Sequence, residues 1–67
     1  MRLITATTQT VGSAQMTIKV YRNTDWDEYI VRFFTNGTDH GESYHTTDRK
    51  EALDAVTWMF DYYRKHA

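Results

Sequence analysis

Apolar and polar residues alternate most cleanly over MTIKVY (16–21). Met16, Ile18 and Val20 fall on one side, and Thr17, Lys19 and Tyr21 on the other. A period of two with a wholly apolar set predicts a half-buried β-strand. EYIVRFFT (28–35) alternates as well, with Tyr29, Val31 and Phe33 at odd positions and Glu28, Ile30, Arg32 and Phe34 at even ones. Burying Arg32 unpaired would be costly, so the odd set is assigned to the core. RLITATTQTV (2–11) is rich in Thr and β-branched residues and predicts a strand over 2–10. GSAQ after it reads as a turn. RNTDWD (22–27) clusters Asn and Asp residues, which favour turns.

Asn36-Gly37 is a hairpin signal, because a type I′ turn needs positive φ at both central positions. GESYHTT (41–47) supplies the returning strand. A two-residue Asn-Gly loop sets Val31 opposite Glu42, a poor core pair. A four-residue loop over 36–39 sets Val31 opposite Tyr44 and is preferred on that ground.

From Asp48 the period changes to 3.6. Asp48 and Glu51 have capping-box spacing, and Arg64, Lys65 and His66 close the far end, so the helix is expected over 49–65. Ala52, Val56, Met59, Phe60 and Tyr63 form its apolar stripe, while Lys50, Asp54, Thr57, Asp61 and Lys65 face the other way. Ala55, Trp58 and Tyr62 occupy the flank between. The expected fold is α+β: an antiparallel sheet of three to four strands with one C-terminal helix packed on one face.

Composition narrows the functional classes. Sixty-seven residues make one small domain, residues 1–67, which buries only about 60% of the surface its unfolded chain exposes. There is no cysteine, hence no disulfide or thiolate metal site. Eight Lys and Arg against nine Asp and Glu leave a net charge of −1, which argues against a general nucleic-acid binder held by phosphate contacts. No apolar run approaches bilayer length, and MRLITATTQT lacks the apolar centre of a signal peptide. A cytoplasmic protein is expected.

Candidate chemistry is sparse. Asp39, His40, Glu42 and His45 are close in sequence but match no metal-ligand spacing, and a polar hairpin loop explains them. Ser13 and Ser43 have no base partner evident in sequence. Asp25 and Asp27 flank Trp26 in a turn, a better reading than an acid–base pair. No catalytic residue, cofactor or metal is expected, and the chain is read as a binding protein. If the helix covers the odd face, the other sheet face carries Lys19, Tyr21, Ile30, Arg32 and Phe34, with Thr17 beside them and Ser43 or His45 near the edge. Tyr, Phe and Arg supply much of the binding energy in protein interfaces and also suit nucleic-acid stacking and phosphate contact. Trp58 and Tyr62 form a second aromatic flank that covers a sheet edge or serves as an interface.

The basic residue and apolar pair after Met1, MTIKVYRN, the NG hairpin and the TTDRKEALDAVTWMF helix together resemble the small phage anti-CRISPR inhibitors of the type I-F surveillance complex. The likeness covers roughly residues 1–60 and lies in pattern and spacing. It implies a small sheet-plus-helix protein of the bacterial host cytoplasm that acts without catalysis. Such a protein binds the RNA-bearing backbone of a CRISPR-Cas complex and blocks hybridisation to target DNA. Tyr21 then matches an interface tyrosine of that family, and Ala6 stands where the family has another aromatic. Here the helix runs on through DYYRKHA, where the family carries a further C-terminal segment. Three antiparallel strands and a helix also resemble the arm-type DNA-binding domains of phage integrases. Those display several Arg and Lys on the sheet, against Lys19 and Arg32 here, with Arg22 in the turn.

Overall fold

The computed structural model describes residues 1–66, apart from the side chain of Glu42. Four strands, β1 (Arg2–Val11), β2 (Ala14–Asn23), β3 (Glu28–Thr35) and β4 (Thr38–Thr46), precede one helix, α1 (Arg49–Lys65). The strands form one antiparallel sheet in the order β1-β2-β3-β4, each paired with its sequence neighbour. This is the expected α+β architecture.

Each hairpin closes by its own turn chemistry. Gly12 and Ser13 join β1 to β2, with positive φ at Gly12 (62°), the pattern of a type II′ turn. Ala14 and Gln15, expected in that turn, already belong to β2. Residues 24–27 join β2 to β3 and end on Asp27 at φ 50°. Asn23 Oδ1 accepts from the Asp25 N–H (3.1 Å), and Asp27 pairs with Arg22.

The third hairpin corrects the expected four-residue loop. Thr35 faces Thr38, so the loop is Asn36-Gly37 alone, with φ 50° and 84°. Val31 nevertheless faces Tyr44. Both hold because β4 bulges: between Arg32↔Ser43 and Phe34↔Asp39, the single residue Phe33 is opposed by His40, Gly41 and Glu42. Gly41 takes φ 79°, a backbone conformation costly for residues with a Cβ. Two extra residues in one strand let the tight turn and the apolar pair coexist. Asn36 also anchors the turn to β2, donating its N–H to Gln15 O (2.8 Å) and accepting the Gln15 N–H at Oδ1 (2.9 Å).

The odd-numbered face of β3 and the apolar side of β2 meet α1 as expected. Ile18, Val20 and Val31 are fully buried with Ala52 and Ala55, and Met16, Phe33, Met59 and Phe60 complete the cluster. The helix is rolled relative to the expected stripe. Ala55, placed on the flank, is fully buried, whereas Val56 is only partly so. Tertiary contacts near both ends are consistent with this roll. The Tyr44 hydroxyl donates to Glu51, and Arg64 donates to Gln9 on β1. Glu51 is therefore engaged with the sheet, and the Asp48 N–H donates to Thr46 Oγ1 (3.2 Å). Asp48 itself caps the helix, accepting the Lys50 N–H (2.9 Å).

A second bulge lies in β1. Leu3 pairs with Tyr21 and Thr5 with Val20, leaving Ile4 as the extra residue. Ile4 packs against the core, while Leu3 is carried to the opposite face, 49% exposed.

Candidate functional site: the open face of the sheet

Pairing across all four strands sets the helix-free face out in rows. Leu3, Tyr21, Ile30 and His45 form one row; Ala6, Lys19, Arg32 and Ser43 the next; Thr8, Thr17, Phe34 and Asp39 the third. All five residues expected on this face are thus neighbours on it. Lys19 and Arg32 stand at its centre, between Tyr21 and Ile30 above and Thr17 and Phe34 below.

That centre is electrostatically strained. Like charges directly opposite on adjacent strands destabilise a sheet, and Lys19 faces Arg32. Neighbours relieve the repulsion in part. Lys19 Nζ lies 4.7 Å from the centre of the Phe34 ring, a cation–π contact, and Arg32 Nη1 lies 3.4 Å from Asp39 Oδ2. Arg32 Nε is buried without a hydrogen-bond partner. The other Asp39 oxygen accepts the Gly41 N–H (2.8 Å), so the β4 bulge places the counter-charge of Arg32.

Ile30 corrects the expectation that it lies open. It is 4% exposed although no helix covers it, and it does not belong to the helix-side cluster. Tyr21 and His45 stand on either side of it, so it supports the face from within.

Ser43 also differs from expectation, since a base does lie beside it. Ser43 Oγ is 2.8 Å from His45 Nε2, and His45 Nδ1 is 3.2 Å from Glu28 Oε1. A proton on Nδ1 satisfies both contacts, with Glu28 accepting it and Nε2 receiving the serine hydroxyl. The connectivity is that of a serine hydrolase relay. It spans β3 and β4 on the helix-free face, and no cavity forms among the described residues to enclose a substrate. The two contacts hold His45 in place beside Ile30.

Arg22, counted among the cations available to DNA, lies on the other face. It pairs with Tyr29 on the helix side, stacks over that ring at 4.9 Å and donates to Glu28 O (3.4 Å). The Asp27 carboxylate holds its pKa above the ordinary value. Two cations, not three, share the open face with the aromatics.

Among the described residues, no three His, Asp or Glu side chains gather as a metal site. Asp39 is engaged as above, and His40 bonds Thr35. The side chain of Glu42, the remaining member of that cluster, lies outside the described residues. Trp58 and Tyr62 are about half exposed on α1, across the sheet from the open face. The Tyr62 ring stacks on His66 at 4.1 Å. No described helix is long and apolar enough to cross a membrane.

Sequence reasoning missed Leu3 and Asp39 as members of the face. Strict alternation sends Leu3 to the core with Thr5, and only the adjacent apolar pair Leu3-Ile4 signals that one must leave it. Asp39 was hidden by the longer loop. Comparison with protein-family models, with curated proteins and with solved structures finds no match for this chain.

Proposed function

We propose that this chain is a non-catalytic inhibitor that docks its open sheet face onto a type I CRISPR-Cas surveillance complex in the bacterial cytoplasm and blocks target DNA hybridisation. The observation that carries a binding role is the juxtaposed Lys19–Arg32 pair framed by Tyr21 and Phe34. Two opposed cations form a surface whose repulsion an external anionic group would relieve. Aromatic anchors beside them suit a protein pocket. A protein–RNA assembly offers both. The choice of a CRISPR complex rests on the resemblance in sequence pattern.

The test is binding to a purified type I surveillance complex, with target DNA hybridisation as readout. Tyr21→Ala and Phe34→Ala should each weaken binding by about 2 kcal/mol if they are anchors. Full inhibition by a Tyr21→Ala/Arg32→Ala/Phe34→Ala variant would move the active surface elsewhere, first to Trp58 and Tyr62. Tight binding to duplex DNA that falls steeply with salt would favour the integrase-like reading. Hydrolysis of an activated ester that is lost in Ser43→Ala would overturn the non-catalytic one.

A further inference from the structure

The two edges of the sheet are built differently. β4 carries a bulge with Gly41 at φ 79° and charged or titratable residues at Asp39, His40 and Glu42, features that discourage strand addition. β1 is ten residues long, and its segment 3–11 contains no charge, proline or glycine. Thr, Val and Ile dominate it, and these residues favour extended pairing.

The turn fixes which backbone groups of β1 are free. A two-residue loop at Gly12-Ser13 makes Val11 and Ala14 the hydrogen-bonded pair that closes the hairpin. Alternation then turns Gln9, Thr7 and Thr5 toward β2 and leaves the N–H and C=O of Thr10, Thr8 and Ala6 pointing outward. Among the described residues no other element bonds these groups.

We infer that β1 pairs with β1 of a second copy of this chain, antiparallel about a two-fold axis at Thr8, to give a continuous eight-stranded sheet. In this register Thr8 faces its own copy and Ala6 faces Thr10. On the other side of the sheet Thr7 faces Gln9 and Thr5 faces Val11. The outward groups at 6, 8 and 10 satisfy one another, the Ile4 bulge stays outside the paired segment, and none of the facing β1 residues is charged. Both helices come to lie on one side of the extended sheet and both open faces on the other. The register commits the edge to a copy of itself because the segment is complementary to its own reverse, with small or β-branched residues at nearly every pair. The inference is independent of the proposed function, since it uses the edge and not the open face.

Sedimentation equilibrium across a concentration series tests it. The wild-type mass should rise from 8.0 kDa toward twice that value. Thr8→Lys sets two ammonium groups face to face at the axis and should weaken association about fivefold. Thr8→Pro removes an outward N–H, which an edge strand tolerates, together with the exposed Thr8–Thr17 hydroxyl contact (2.9 Å), and should abolish association while far-UV circular dichroism stays native. Ala6→Glu/Thr10→Lys in one chain should retain association, because each glutamate meets a lysine of the other copy. Ala6→Glu/Thr10→Glu should lose it, because carboxylates then face each other between copies while the residue at 6 still meets Lys19 within its own chain. A wild type that stays monomeric to about 1 mM, association unchanged in Thr8→Lys, or equal association of the two double variants would overturn the pairing.

Discussion

The two faces of one sheet solve burial by different means. On the helix side, Ile18, Val20 and Val31 vanish beneath Ala52, Ala55, Met59 and Phe60, a dry layer in which every member is apolar. On the open side Ile30 is almost as buried, yet what surrounds it on its own face is polar or amphipathic: Tyr21, His45 pinned by Ser43 and Glu28, and the Lys19–Arg32 pair. One face is stabilised by excluding water, and the other holds charge in an arrangement that costs the free protein something.

Substitutions sharpen this contrast. The largest effect is expected at Phe60→Ala, about 3–5 kcal/mol by thermal or urea unfolding, enough to unfold much of so small a domain. Thr57→Ala on the exposed side of the helix should cost less than about 0.5 kcal/mol. Equal losses at 57 and 60 would mean that the helix lies on the sheet in another roll. Val56, only partly buried, should lose less than Phe60.

Ile30→Ala comes next, at about 2 kcal/mol, and probes the open face directly. A loss as large as that of Phe60→Ala would show a second core there and erase the distinction between the faces. No measurable loss would mean that the side chains around Ile30 do not hold it.

Gly41→Ala should cost about 1 kcal/mol, from backbone strain alone, because an added Cβ meets nothing within 4 Å. The bulge also positions Asp39 beside Arg32. The same variant should therefore perturb the Arg32 side-chain resonances in NMR spectra more than those of Tyr21. Unchanged Arg32 resonances would uncouple the bulge from the face.

The smallest expected effect is one of pH. Its hydrogen bond to the Glu51 carboxylate raises the Tyr44 phenol above its ordinary pKa of 10.0. Because the folded value is the higher one, the stabilisation is complete below pH 10 and is lost as pH rises through the folded pKa. The stability gap between wild type and Glu51→Gln should accordingly be constant through neutral pH and close in strong alkali. A gap that widens there would contradict the bond.

Much of this was legible in residue order, for reasons that can be named. Alternation at 16–21 and 28–35, the Asn36-Gly37 turn and the Asp48 cap depend on neighbours a few positions away, so their elements appear where local physics puts them. Lys19, Tyr21, Arg32 and Phe34 could be grouped on one face because a period of two carries over a whole strand. The grouping stopped short at Leu3, Asp39 and the base beside Ser43. One extra residue in β1 inverts the alternation and sends Leu3 to the face opposite Thr5, and two extra residues in β4 keep the alternation but bring Asp39 beside Phe34; neither insertion has a strong local signal.

Order along the chain thus settled which residues prefer the inside and where the chain turns. Packing settled the rest: how far α1 rolls, so that Ala55 and not Val56 meets the sheet; that β4 takes in two extra residues so that a tight turn and the Val31–Tyr44 pair coexist; and that Ile30 disappears on a face no helix covers. Those outcomes depend on cross-strand and helix–sheet contacts between residues distant in sequence. Their energies are comparable to the local preferences they override, so neither periodicity nor propensity alone could choose among them.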